Sequence, residues 1–385
     1  MKIMHICLAD GYTDNSEYQE NLLAKYHVKL GYDIIVLSTQ FSYKEGIWTD
    51  NRETDYYDSN GVYIKRIPFA FNFSYEINKR VGIFKGIKRI LDQENPDILF
   101  IHNFQFLSIL QINKYLKKTK KIVYVDSHVD FSNSGRTWLT KNGLHKCVWM
   151  LCANLIKGKV RKFYGVLPAR LDFLTDVYKL PKEKCDLLLM GADDEKVKIA
   201  KTKASTVKIR NEYGVNDEDF LIVTGGKINE HRPETLNLMD AIAKLSLKNV
   251  KLLIFGTVSN SLKTDFEEKC KNSNVIYAGW QKSEDTYRIM GAADLIIFPG
   301  LHSVMWEQAV SLGIPCVFKK IDGFSHVDLG GNALFLDDTS INNIEMVIEN
   351  LANNKEKVQL MKSVAENKGI ETFSYKNIAK QSISR

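Results

Sequence analysis

The chain has 385 residues, 44% of them hydrophobic and 26% charged, with a formal net charge of +7. That length exceeds one ordinary domain and suits two, each able to bury its own core, and no window approaches the ~20 apolar residues of a membrane span. Six cysteines (Cys7, Cys147, Cys152, Cys185, Cys270, Cys316) form neither a CxxC pair nor a Cys/His cluster with zinc spacing, so they read as buried or incidental thiols.

Residues 2–9 predict a first strand, entered with no charged-then-apolar leader, so the expectation is a cytoplasmic protein. Asp10-Gly11-Tyr12 closes that strand; Leu22, Leu23, Tyr26 and Leu30 then follow at helical spacing, and residues 32–38 predict a second strand. Strand patterns recur at 98–102, 121–126 and 165–168, with helices at 77–91 and 108–116. A polar linker is expected at 193–207. After it, strands are predicted at 220–224, 250–255, 275–277, 295–298, 316–318 and 333–336, with helices at 234–246, 261–270, 283–291, 304–312 and 341–353. Such alternation predicts an α/β protein with parallel sheets covered on both faces and ligands at the carboxyl ends of the strands. The domains are placed at 1–195 and 207–357, with 358–385 helical and packing back on the first domain.

The charge is unevenly placed. Residues 1–200 hold 30 Lys and Arg against 23 Asp and Glu, and residues 201–385 hold 23 of each. Residues 101–162 carry 12 basic and 2 acidic side chains, which points to an anionic partner: lipid headgroups, a lipid diphosphate or nucleic acid. No nucleic-acid recognition motif accompanies this charge, so no nucleic acid partner is expected. Residues 79–91, with Ile83, Phe84, Ile87, Ile90 and Leu91 near one face, and residues 138–164, with Trp149, Met150 and Leu151, have the pattern of basic helices that rest on an anionic membrane. The same pattern fits helices packed on a sheet with solvated lysines.

Two stretches carry chemistry. The first is Gly225-Gly226-Lys227-Ile228-Asn229-Glu230-His231-Arg232-Pro233, after the strand at 220–224. Two glycines at a strand end let a backbone approach a ligand closely, and Lys227 and Arg232 add two cations, as a diphosphate requires. Gly-Gly after a strand is also an ordinary tight turn. The second runs from Phe298-Pro299-Gly300-Leu301-His302-Ser303 into the helix of Glu307. Ser303 reads as its N-cap, with free N–H groups for phosphate, and Glu307 one turn on reads as an acceptor for ribose hydroxyls. The plainer alternative is an exposed helix glutamate and a loop histidine.

The spacing of Asp294, Pro299, Glu307-Gln308-Ala309 and Leu312-Gly313-Ile314-Pro315-Cys316-Val317 resembles the C-terminal signature of retaining glycosyltransferase family 4. Gly225-Gly226-Lys227 with Arg232 resembles that family's basic pair with the two cations exchanged. The resemblance extends to Lys29-Leu30-Gly31-Tyr32 and Pro96-Asp97-Ile98, weakly over the first half and specifically over the second. It implies a GT-B fold: two Rossmann-like domains facing a central cleft, with a C-terminal helix crossing back to the first. It also implies that Lys227 and Arg232 neutralise the donor diphosphate, that Glu307 binds ribose, and that Trp280 or its backbone contacts the base. Gly256 lets the nucleotide pass, His302 and Ser303 lie near the phosphates, and Gly11 falls in the glycine loop of the first domain. Asp126-Ser127-His128-Val129-Asp130 takes the place of the family's sugar-side histidine, so His128 and Asp130 are the acceptor-side candidates.

The expected activity is retaining, metal-independent transfer of a sugar from a nucleoside diphosphate sugar, UDP favoured over GDP, with no cofactor. The expected acceptor is a glycan or a polyprenyl-diphosphate-linked one, in cell-surface polysaccharide or capsule synthesis. A non-catalytic nucleotide-sugar-binding or epimerase relative is the alternative. The sequence departs from the family pattern where a sugar-side acid is expected, which falls on Pro299, and at Asp10-Gly11-Tyr12, which lacks a double glycine.

Overall fold

A computed structural model describes residues 1–384 apart from 45, 46, 52, 132, 133, 135, 136 and 232. Arg232 therefore lies outside the described residues. The chain forms two units, Met1–Leu189 with Ile378–Arg385, and Met190–Asn377.

The first unit is built on an eight-stranded sheet in the spatial order Cys185–Leu187, Lys162–Gly165, Ile122–Ser127, Ile98–His102, Lys2–Cys7, Asp33–Thr39, Tyr63–Ile67, Asp55–Tyr57. All its pairings are parallel except the last, an antiparallel edge. Its central strands read as continuous apolar runs because helices cover both faces: Ile34–Leu37 and Ile98–Ile101 are all 2% exposed or less. The second unit carries a six-stranded, wholly parallel sheet in the order Val275–Gly279, Val250–Val258, Phe220–Ile228, Leu295–Phe298, Cys316–Lys319, Ala333–Leu336. Its core joins Ile222, Leu252, Ile254, Leu295, Ile297 and Val317 to Leu238, Ile242 and Ile348 on the covering helices.

Several expectations change. The helix predicted at 77–91 is two helices, Tyr75–Val81 and Ile87–Glu94. Gly82 (φ 62°) and Gly86 (φ 80°) turn the chain between them, and Phe84 stacks on Phe69 with ring centroids 4.8 Å apart. Its apolar residues Phe84, Ile87, Ile90 and Leu91 are consumed by the core, while Ile77 is 50% exposed. The polar linker at 193–207 is instead helical, Asp194–Ala200 and Lys203–Glu212. Each helix is started by a side-chain cap, Asp193 accepting from the Glu195 N–H and Thr202 from the Ser205 N–H. The strand predicted at 165–168 lies at Lys162–Gly165, because Pro168 opens the helix Pro168–Asp176. Residues 355–372 form a helix of the second unit, and the stretch that returns to the first is 378–385.

Candidate functional site

In the second unit, the strands Phe220–Ile228 and Val250–Val258 stay in register to their last residues, setting Gly226 opposite Gly256. The sequence suggests a loop after Thr224; pairing instead runs on through Ile228, so Gly225, Gly226 and Lys227 lie on a strand. The glycines are required there. Gly226 and Gly256 have φ of 118° and 125°, a Cβ on Gly256 would stand 1.9 Å from the Gly226 carbonyl oxygen, and one on Gly225 would stand 2.5 Å from the Phe255 ring. Lys227 is exposed, and among the described residues nothing pairs with its ammonium. The Tyr277 hydroxyl donates to the Gly256 carbonyl at 2.8 Å, and after Gly279 (φ 70°) the Trp280 side chain is 66% exposed.

Glu307 is fully buried on the helix Met305–Ser311. Ser303 is not its N-cap: Val304 takes that position in helical conformation with no side-chain cap, and the Ser303 carbonyl accepts from the Trp306 N–H at 3.0 Å. Helical φ and ψ at Val304 leave the Ser303 hydroxyl one residue too early to cap. Two imidazoles hold the Glu307 carboxylate. His302 Nε2 donates at 3.0 Å to Oε1 and 3.2 Å to Oε2, and His326 Nε2 donates at 2.8 Å to Oε1. Trp306, stacked on Phe318 with centroids 4.4 Å apart, walls the His302 ring, and Phe324 closes its other side. Burial alone would raise the Glu307 carboxyl, but His302 and then His326 outweigh it and hold it at about 2. His326 has no motif spacing to Glu307; only the turn Ser325–Val327 brings it in.

In the first unit, His128 follows the strand Ile122–Ser127, with Nε2 3.5 Å from Asp126 Oδ2. Burial pulls the His128 imidazole down, but the Asp126 charge outweighs it and raises it above its ordinary value. Asn103, at φ 58°, ties the site together: its amide donates to Asp10, its Oδ1 accepts from the His128 N–H at 2.8 Å, and its own N–H donates to Asp126. Asp130 is 4% exposed and paired at 3.1 Å with Arg170 Nε. Gly11, at φ 78°, would place a Cβ 3.3 Å from Thr39 and Trp48. The residues after it are held by buried Arg66, which donates to the carbonyls of Tyr12 and Thr39 at 3.0 and 3.1 Å and to Asp14 at 2.9 Å. Glu20, Asn103 and Arg170 carry no pattern that marks them in sequence; folding gathers them, with Asp126, around His128. Burial pushes the Glu20 carboxyl up, against the pull of His102 and His128.

Among the described residues, His302 with Glu307 and His326, and His102 with Asp126 and His128, bring metal-ligand types within 4.8 Å of one another. In the Glu307 group and between His102 and Asp126 the spacing is that of hydrogen bonds.

Residues 205–368 match the family Glycosyl transferases group 1. No curated protein matches the chain. Among solved structures, a glycosyltransferase from Rickettsia africae superposes with a TM-score of 0.73 at 16% identity, covering 99% of this chain and 96% of that one. HepE of Anabaena in complex with UDP gives 0.70 at 14%, covering 99% and 98%. Sucrose-phosphate synthase of Thermosynechococcus elongatus gives 0.69 at 12%, covering 99% and 96%. At these identities the likeness establishes the fold, which is GT-B, each unit being Rossmann-like.

Proposed function

We propose, from a second unit that matches glycosyl transferases group 1 over residues 205–368, that the chain moves a sugar from a nucleoside diphosphate sugar to an acceptor hydroxyl. The observation that carries this reading is the Gly226–Gly256 pair, which strips side chains from two adjoining strand ends beside Lys227, unpaired among the described residues. A UDP-sugar is favoured over a GDP-sugar, in keeping with HepE having been solved with UDP and with UDP-glucose. Transfer proceeds with retention and without a metal: the anomeric carbon–phosphate oxygen bond breaks, a bond to the acceptor oxygen forms, charge develops on the leaving diphosphate, and the acceptor hydroxyl's proton passes to that diphosphate. Lys227 and Arg232 stabilise that charge as fixed cations. Gly225 lets the backbone approach, Trp280 offers its exposed ring to the base, Glu307 takes the ribose, and His302 and Ser303 border the phosphates. His128 faces the sugar, and Asp130 braces that loop through Arg170.

The acceptor in this reading is a glycan or a polyprenyl-diphosphate-linked one in cell-surface polysaccharide synthesis, met at the inner face of the cell membrane. Leu144, Val148, Leu151 and Leu155 form an exposed stripe on the consecutive helices Leu139–Trp149 and Met150–Ile156, near the exposed Trp138. Within residues 101–162 the only acids are the buried Asp126 and Asp130, so the exposed charge of that segment is basic and suits anionic lipid. Among the described residues no helix is long and apolar enough to cross a membrane.

A second reading, a non-catalytic nucleotide-sugar-binding or epimerase relative, draws on Pro299 in place of a sugar-side acid and on a Glu307 fully buried behind two histidines. One experiment separates them: thermal shifts with UDP, GDP and UDP-sugars, then UDP release with a polyprenyl-linked acceptor. Release that disappears in Lys227→Ala supports the transferase. Stabilisation by UDP without release supports the binder, and no shift with any nucleotide sinks both.

A further inference from the structure

As the ribose acceptor, Glu307 poses a problem of access: its side chain is 0% exposed. A covered carboxylate meets no ligand, so a group now on it has to leave when ribose arrives. Among the described residues, His302 and His326 are its only hydrogen-bond donors. The carboxylate, held ionised, only accepts. A ribose hydroxyl donates one hydrogen just as an imidazole N–H does, so nucleotide and histidine compete for the same lone pairs.

The two grips differ. His302 Nε2 is nearly equidistant from the two oxygens, 3.0 Å from Oε1 and 3.2 Å from Oε2, so a single N–H straddles the carboxylate. A vicinal diol reaches both oxygens from that same front, and an N–H shared between two acceptors is well aligned with neither. His326 donates to Oε1 alone, at 2.8 Å, and leaves Oε2 untouched.

Their supports differ in the same sense. His302 lies in the loop between the strand Leu295–Phe298 and the helix Met305–Ser311, next to Leu301, which is 47% exposed. Trp306 and Phe324 meet its ring at 74° and 43°, bordering it without stacking, so the ring has room to turn between them. His326 lies in the excursion 320–332, between Cys316–Lys319 and Ala333–Leu336, which is tied down. Buried Asn332 donates to the Val327 carbonyl at 2.9 Å and accepts from the Leu329 N–H at 2.5 Å. Asp328 accepts from the Gly330 and Gly331 N–H groups at 3.1 and 2.7 Å, and Lys368 donates to the Leu329 carbonyl at 2.6 Å.

We propose that nucleotide binding exchanges His302 for the ribose on Glu307 while His326 keeps its grip. His326 is then the positioning residue that holds Glu307 in register for the hydroxyls, and His302 is a placeholder that keeps the buried charge satisfied until they arrive. The exchange gives up one charge-assisted hydrogen bond for others of the same kind, whereas a bare carboxylate at this depth would be costly. It also discriminates, because a nucleotide without ribose hydroxyls brings Glu307 no donor and cannot replace His302. The inference rests on reading Glu307 as the ribose acceptor of a uridine nucleotide; it does not depend on sugar transfer.

Titration calorimetry of the full-length protein with UDP and with 2′,3′-dideoxy-UDP tests this. Both ligands carry the same base and diphosphate, so the ratio of their Kd values isolates the ribose hydroxyls, whatever His302 does at the phosphates. In the unaltered protein UDP is expected to bind about tenfold tighter. In His302→Ala that preference is expected to rise about threefold, since the hydroxyls no longer displace a donor. In His326→Phe it falls toward one, since the carboxylate is free to swing, while His326→Gln, which keeps an N–H, stays near the parent. A preference that falls in His302→Ala makes that histidine the ribose contact and overturns the exchange, as does a preference unmoved by both His302→Ala and His326→Phe. No preference in the unaltered protein overturns the ribose reading of Glu307 and the exchange with it, and no UDP binding at all sinks the nucleotide reading as well. Should one variant fail to fold, the other decides alone, because the two shifts have opposite signs.

Discussion

Gly256 runs so close beside Gly226 that a Cβ on it would stand 1.9 Å from the Gly226 carbonyl oxygen. The obstacle is backbone, which cannot swing away as a side chain can, and φ at Gly256 is 125°. Gly256→Ala is expected to cost about 2–3 kcal/mol of stability and to weaken UDP binding with it. Urea unfolding and a UDP titration check both; an unchanged midpoint would mean that the strand ends are not fixed as described.

The acid behaviour of Glu307 has a definite sign. Its carboxyl is held at about 2 against an ordinary 4.5, so the native state favours the ionised form. The resulting stability is present above the unfolded value and is lost as pH falls from about 4.5 through about 2, on the order of 3 kcal/mol in all. Urea melts between neutral pH and about pH 3 are expected to show a smaller acid loss in Glu307→Gln than in the parent protein.

Lys227 separates binding from folding. Because it is exposed and unpaired among the described residues, Lys227→Ala is expected to change stability by less than about 0.5 kcal/mol. It should weaken UDP or UDP-sugar binding about tenfold, the effect of ~1.4 kcal/mol. Calorimetry beside a thermal melt reads both; equal losses in the two would assign Lys227 a structural role instead.

Arg66 tests the loop that follows Gly11. Its guanidinium, 3% exposed, donates to two carbonyls, to Asp14 and to the Tyr56 hydroxyl. Lysine has one compact ammonium and cannot reproduce that fork, so Arg66→Lys is expected to cost about 2 kcal/mol and to speed proteolysis within residues 10–15. Limited digestion followed by mass spectrometry locates the cut.

The apolar stripe makes a separate forecast. Leu151 is 60% exposed, so Leu151→Glu should leave the melting temperature nearly unchanged while lowering sedimentation with anionic vesicles about tenfold. Retained binding would place the membrane contact elsewhere.

Much of this protein is legible along the chain. The two βα series, their parallel sheets and the Gly-Gly at 225–226 follow from apolar runs of strand length and from a residue type that only close backbone approach requires. The caps at Asp193 and Thr202 were also legible, yet residues 193–207 read as a linker because polarity outweighed the cap signal. The 79–91 pattern misleads for the opposite reason: periodicity records which residues are apolar, not whether Gly82 and Gly86 bend the chain between them.

What the sequence by itself determined, then, is the class of fold, the strand ends and the residue types available there: Lys227, Glu307, His128 and their neighbours. Tertiary structure alone decided their chemical state. Glu307 is gripped by His302 and by His326 nineteen positions away, and Asp126 stands at the head of a row assembled from His102, His5 and His27. The reason is physical: periodicity reports the burial of faces, whereas protonation depends on which donors and acceptors meet in a water-poor interior, and long-range chain return alone brings those together.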